Sequence, residues 1–226
     1  MANITFSYIL YNMDTEINIA LKSGDLDTVK NLLRGSVKKG HHMFGEDALS
    51  IASYKGLLNV VKALLPEGNV GNALFNTIKG CVFLKERKVY FEIIKSLLEV
   101  GIDIDIRNFR GVTLFGLASI LSWFELMELL LGKGTDINIP DKYGKTALYI
   151  ATQFGRENVV KFLLEAGAID IPTNTGKTSL VIAVEKDYLE IVLLLLLEKG
   201  DINQSNGDGE TLLFIAVKNG NLELVK

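Results

Sequence analysis

Paired leucines close one amphipathic segment after another along this chain at a nearly constant interval. The second leucine of each pair is Leu33, Leu65, Leu98, Leu131, Leu164 or Leu196, with spacings of 32, 33, 33, 33 and 32 residues. An alanine stands 12 positions ahead of the first leucine of most pairs, at Ala20, Ala52, Ala118, Ala151 and Ala183, and Ala216 follows 33 residues later. Four residues beyond these alanines come Gly24, Gly56, Gly155 and Gly220, or Ser122 and Asp187. Self-similarity at this period marks an array of small supersecondary units, each of which buries its apolar face only against its neighbours.

Composition agrees with a folded array. Of 226 residues, 48% are hydrophobic and 23% charged, which excludes intrinsic disorder. With 24 basic and 27 acidic side chains the formal charge is −3, so the chain as a whole lacks the basic footprint of a nucleic-acid binder. One cysteine, Cys81, excludes a disulfide framework and suits a reducing compartment. Mean hydropathy is +0.26, yet the longest uninterrupted apolar run, Ile191 to Leu197, falls far short of the ~20 residues that a spanning helix needs. Residues 1–12 carry no Lys or Arg, unlike a secretory signal. We therefore expect no membrane insertion and a cytoplasmic, intracellular protein, with the hydropathy absorbed by a continuous inter-repeat core.

The clearest unit gives the physical plan. Asp141-Lys-Tyr-Gly-Lys-Thr146 reads as a turn in which Gly144 supplies a left-handed backbone angle and Thr146 caps the next helix. A short helix over 147–154, a break at Gly155 and a second helix over 157–166 follow, the second with Val159, Val160, Leu163 and Leu164 on one stripe. The string from Asp141 through Thr146-Ala-Leu-Tyr-Ile-Ala151 to Leu163-Leu-Glu-Ala-Gly-Ala168 resembles an ankyrin repeat, and Gly134-Thr-Asp-Ile-Asn138 resembles that family's link into the next finger. The resemblance implies an all-α fold, an α-solenoid of about seven stacked helix-turn-helix repeats with β-hairpin or loop fingers. It runs from about Asn12 to the end, and 1–226 is expected to be a single array: a cap segment at 1–12, repeats near 13–40, 41–70, 71–106, 107–139, 140–171 and 172–204, and a truncated repeat at 205–226. Phe6, Tyr8, Ile9, Leu10 and Tyr11 are expected to fold over the first unit, and the polypeptide is expected to continue past Lys226.

The pattern has departures. The family's Thr-Pro-Leu-His signature is never complete: Leu114, Ala147, Ser179 and Leu212 hold the proline position, and Gly116, Tyr149, Val181 and Phe214 the histidine position. A less stable array than a consensus one is expected. In the third unit Leu65 and Leu74 are 9 residues apart where Leu164 and Leu180 are 16 apart, so its finger is nearly absent. From Thr77 to Leu97 there are 20 residues instead of 12, an insertion whose Lys79, Lys85, Arg87 and Lys88 are either a contact site for an acidic partner or a tolerated, solvated segment.

Catalytic and ligand motifs are weak. Gly144-Lys-Thr146 and Gly176-Lys-Thr178 imitate the tail of a phosphate-binding loop, but Ile139 and Ile171 occupy the required glycine position. Asp201, Asn203 and Ser205 imitate a calcium loop that lacks its glycine and closing glutamate, at Asn206 and Leu212. His41 and His42, the only histidines, are adjacent and read as surface residues rather than ligands, and two histidines on one segment build no catalytic triad. No enzyme activity, metal or cofactor is expected.

What the resemblance implies is protein binding through finger tips and the concave face of the first helices. Carried onto this sequence, the candidate partner-binding residues are Phe109, Arg110, Val112, Ile120, Leu121, Lys142, Tyr143, Lys145 and Phe154. Aromatic side chains edged by Arg and Lys match the composition of interface hot spots; the alternative is that neighbouring loops cover them. Leu193 and Leu197 stand where other units carry charge or glycine, and either bind a partner or pack on further chain. Trp123 is expected to pack across an inter-helix turn. Asn138 and Asn203, each eight residues after a leucine, resemble sites of an asparaginyl hydroxylase or simply brace their fingers. The expected function is a non-catalytic, monomeric interaction scaffold or adaptor for another protein, with no nucleic acid partner. The alternative is a regulatory or targeting segment of a larger enzyme or channel.

Overall fold

A computed structural model describes residues 16, 19–20, 25–38, 47–65, 68–84, 87–198 and 200–225. Their helices are α1 (Leu26–Lys38), α2 (Ala48–Tyr54), α3 (Leu58–Leu64), α4 (Val70–Leu84), α5 (Arg87–Leu98), α6 (Leu114–Ile120), α7 (Phe124–Gly132), α8 (Ala147–Gln153), α9 (Glu157–Glu165), α10 (Ser179–Glu185), α11 (Leu189–Leu197), α12 (Leu212–Asn219) and α13 (Leu222–Val225). Among the described residues there is no sheet; β structure is limited to two isolated antiparallel bridges, Arg107 with Thr113 and Ser205 with Thr211. The fingers there are turns closed by at most one bridge. His41, His42, Lys85 and the N-terminal apolar segment lie outside the described residues. The chain divides into two compact units, 1–103 and 104–226.

In the second unit the first helix of each pair is short because both ends are fixed by local chemistry. Thr113, Thr146, Thr178 and Thr211 adopt extended backbone angles, and each Oγ1 accepts the N–H three residues on, from Gly116, Tyr149, Val181 and Phe214. The other end explains the recurring glycine, or Ser122 and Asp187, four residues after the alanine. The carbonyls of Ala118, Ala151, Ala183 and Ala216 accept the N–H five residues on, from Trp123, Arg156, Tyr188 and Asn221, at 2.9–3.1 Å. This Schellman-type closure needs a left-handed residue between, and Ser122, Gly155, Asp187 and Gly220 supply it at φ 49, 62, 57 and 74. The alanines are buried, where a larger side chain would hold the neighbouring helices apart.

Packing then runs from pair to pair. Helix α8 contacts α6, α9 and α10, and α10 contacts α11 and α12, while α9 lies on α11. The expected stripe of Val159, Val160, Leu163 and Leu164 is buried, each such side chain contributing about 1.5–3 kcal/mol relative to exposure. Trp123 is buried at the turn into α7, as its sequence context predicts. Tyr188 lies over Gly155, where an added Cβ would come within 3.0 Å of the ring.

The first unit departs from this plan at α4. The sequence reads 79–89 as an irregular insertion; instead α4 runs unbroken for 15 residues to Leu84. Cys81 occupies the position that elsewhere turns left-handed, and Thr77 sits inside the helix with its Oγ1 donating to the Ala73 carbonyl at 2.7 Å. A Cβ at Gly80 would overlap the Tyr54 carbonyl at the end of α2. That close approach seats α4 along α2, and the Tyr90 hydroxyl donates to the same carbonyl at 2.9 Å. Ahead of α4, the Asp47 carboxylate caps α2 through Ser50 N–H and also accepts Asn69 N–H. Of the inserted basic residues, Lys79 donates to Asn76 Oδ1 and Arg87 and Lys88 open α5.

Candidate functional site

Four fingers of the second unit, 107–113, 140–146, 172–178 and 205–211, are built alike. In each, one polar side chain organises the turn. Asn108 Oδ1 accepts the N–H groups of Arg110 and Val112, Asp141 Oδ1 those of Tyr143 and Lys145, and Asn206 Oδ1 those of Asp208 and Glu210. Thr173 Oγ1 does the same for Lys177. Gly111, Gly144, Gly176 and Gly209 each take a left-handed angle and donate back to the residue three before. Successive fingers are also joined: Lys142 N–H donates to the Arg110 carbonyl at 3.2 Å, and Asn174 N–H to the Tyr143 carbonyl at 3.1 Å. Gly144 is needed at this joint, since a Cβ there would lie 2.5 Å from Asn174 N.

The turns hold the finger tips outward. Phe109 is 82% exposed, Tyr143 54% and Phe154, the C-cap of α8, 60%. Each tip pairs a ring with a cation from the adjoining residue: the Arg110 guanidinium lies 5.4 Å from the Phe109 centroid and Lys142 Nζ 5.1 Å from that of Tyr143. Neighbouring loops therefore leave these aromatic tips uncovered. Val112, Ile120 and Leu121 are only half-exposed, so the apolar character of the surface comes from the tips more than from the end of α6.

A feature missed in the sequence joins three of the four fingers to the ends of their own helices. Lys145 Nζ donates to Gln153 Oε1 at 3.1 Å, Lys177 Nζ to both oxygens of Glu185 at 2.7 and 2.8 Å, and Lys218 Nζ to Glu210 Oε1 at 2.8 Å. These rungs share an eight-residue spacing, at which the first finger places Val112 and Ile120. The signal was present in the sequence as polar or opposite charges at that interval. The hydrogen bond from Lys218 holds the Glu210 carboxyl below its ordinary value. Burial pushes the Tyr149 phenol up, opposed by the nearby Lys177 ammonium, while Lys145 lies over the Tyr149 ring at 5.4 Å.

A family model for ankyrin repeats, three copies long, matches residues 17–108, 83–175, 115–206 and 180–226. The chain belongs to the ankyrin-repeat family. No curated protein matches it. Ankyrin repeats generally mediate protein–protein interaction, and ankyrin domains are typically non-catalytic. The other sequence candidates take places in the ankyrin scaffold. The two Gly-Lys-Thr strings are finger turns, and Asp201 Oδ1 accepts Asn203 N–H in a turn of its own. Asn138 braces the next repeat, its Oδ1 accepting Ile169 N–H at 3.0 Å. Among the described residues no group of three or more His, Cys, Asp or Glu is placed to hold a metal, and no helix is long and apolar enough to cross a membrane. Leu193 and Leu197 are exposed on α11. The sequence reading passed over a second apolar face: Leu213, Phe214 and Val217 of α12 are exposed, although the matching Leu180, Val181 and Val184 of α10 are buried.

Proposed function

We propose that this chain is a non-catalytic interaction scaffold that docks a partner protein across the fingers 107–113 and 140–146, through Phe109, Arg110, Lys142, Tyr143 and Lys145, with Val112, Ile120, Leu121 and Phe154 on the adjoining helix ends. The observation that carries this reading is the pair of exposed finger-tip aromatics, each beside a cation and fixed by turn hydrogen bonds before any partner arrives. Rigid aromatic and Arg anchors of this kind lose little entropy on binding and dominate interface energies. Affinity capture from the native source, with wild type against the Phe109→Ala/Tyr143→Ala variant, tests it. Proteins retained by wild type and lost from the variant, with unchanged circular dichroism, support the site; an identical captured set contradicts it.

A second reading is that these repeats regulate or target a larger protein. It is favoured by α12, whose Leu213, Phe214 and Val217 offer the same kind of face that α10 buries against its neighbour. Loss of activity control in a linked enzyme or channel on Phe214→Asp, with finger binding intact, would support it over a free-standing adaptor.

A further inference from the structure

Resting on the finger site proposed above, we infer that its partner presents an acidic, extended segment carrying an aromatic or aliphatic side chain among its carboxylates. The chain is acidic overall, at −3, yet the first two fingers of its second unit concentrate the opposite charge. Residues 107–113 and 140–146 contain four basic side chains, Arg107, Arg110, Lys142 and Lys145, against the single carboxylate of Asp141. That carboxylate is engaged in the turn, where Oδ1 accepts two backbone N–H groups.

The other two fingers show what a self-neutralised surface looks like in the same scaffold. Lys177 is closed by both oxygens of Glu185, and Glu210 by Lys218. At the equivalent rung Lys145 meets the neutral amide of Gln153, which accepts one hydrogen bond and cancels no charge. Among the described residues, Arg110 and Lys142 have no carboxylate within ion-pair distance; each rests beside its neighbour's ring, at 5.4 and 5.1 Å. Such a ring contact orients a cation and leaves its N–H groups directed to an incoming acceptor. Each tip thus offers an apolar ring and a charge-assisted donor side by side, and the backbone bond from Lys142 to Arg110 keeps the two tips in register.

A nucleic acid would also meet rings and cations here. The uniform phosphate charge of a longer strand would then run along the array past the self-neutralised pairs of Lys177 with Glu185 and Lys218 with Glu210, which offer it no net attraction, and toward Asp208, which repels it. A peptide restricts its carboxylates to the basic end. The structure therefore favours the peptide.

The test selects displayed random peptides of about twelve residues on the intact chain and measures the winners by fluorescence polarisation. The inference expects winners enriched in Asp and Glu around Phe, Tyr, Trp or Leu. Their affinity should fall by more than about tenfold in Phe109→Ala/Tyr143→Ala, by at least as much in Arg110→Gln/Lys142→Gln/Lys145→Gln, and steeply with added salt. Neutral or basic winners that need the two rings but not the three cations would overturn the acidic assignment and leave the finger site standing. Winners indifferent to both variants, or no winners, would overturn both. Displacement of the winners by an oligothymidylate of similar length, with tighter binding of that strand, would overturn the choice of a peptide. Unchanged circular dichroism of each variant separates lost contacts from lost structure.

Discussion

Helices α4 and α8 hold the same place in their repeats and differ in almost everything that precedes and follows that place. Helix α8 is entered from a six-point turn ending in the Thr146 cap and is stopped after seven residues by Ala151 and left-handed Gly155. Helix α4 follows a link that Asp47 ties directly to α2, carries Cys81 where the left-handed residue should be, and continues to Leu84. The apolar demand is the same in both, since Leu74 and Leu148 are equally buried. Length is therefore set by the chemistry at the ends and not by the core. The functional consequence is that a finger with an exposed tip, Tyr143, leads into α8, whereas the residue just before α4 is tied by Asp47 to the start of α2.

Substitutions can break this comparison. The largest effect is expected at the shared core: Leu148→Ala and Leu74→Ala should each cost about 2–5 kcal/mol in urea unfolding. By contrast Leu213→Ala on α12, at a side chain 58% exposed against 0% for its counterpart Leu180, should stay within about 0.5 kcal/mol. Next comes the α4 seat. Gly80→Ala places a methyl group on the Tyr54 carbonyl and should cost about 1–3 kcal/mol, seen as faster hydrogen exchange across 70–84 while 147–165 stays protected. A smaller loss, about 1 kcal/mol, is expected from Thr146→Ala, which removes the α8 cap. The smallest change has the opposite sign. Ser122 holds φ 49 without glycine's freedom, so Ser122→Gly should raise stability by roughly 0.5 kcal/mol after the unfolded-state entropy of glycine is counted. A loss on Ser122→Gly would show that the turn relies on the serine hydroxyl rather than on the backbone angle.

The sequence made the repeat legible because leucine spacing, small alanines and turn residues all report one geometry. The reason for alanine became visible only with its burial, since Ala52, Ala118, Ala151 and Ala183 are almost fully enclosed. The insertion was misread as irregular because eight extra residues look alike whether they loop out or extend a helix. What decided it was Gly80, whose missing side chain lets two helices meet. At the candidate site, exposure of Phe109, Tyr143 and Phe154 follows from their turn and cap positions and was readable. The rungs from Lys145, Lys177 and Lys218 were readable in principle, but they join residues of two elements at a spacing that neither helix nor strand periodicity highlights. The exposed face of α12 was unreadable from its own residues, because Leu213 and Leu180 have the same identity and only the neighbour differs.

Most of the partner's binding energy is assigned to the paired tips Phe109 and Tyr143 of the fingers 107–113 and 140–146. Isothermal titration of the captured partner, or of a selected acidic peptide, into wild type and Phe109→Ala/Tyr143→Ala tests it most directly. A loss of more than about 2 kcal/mol in binding free energy, with urea stability unchanged, is expected. Equal affinity for both proteins would contradict it.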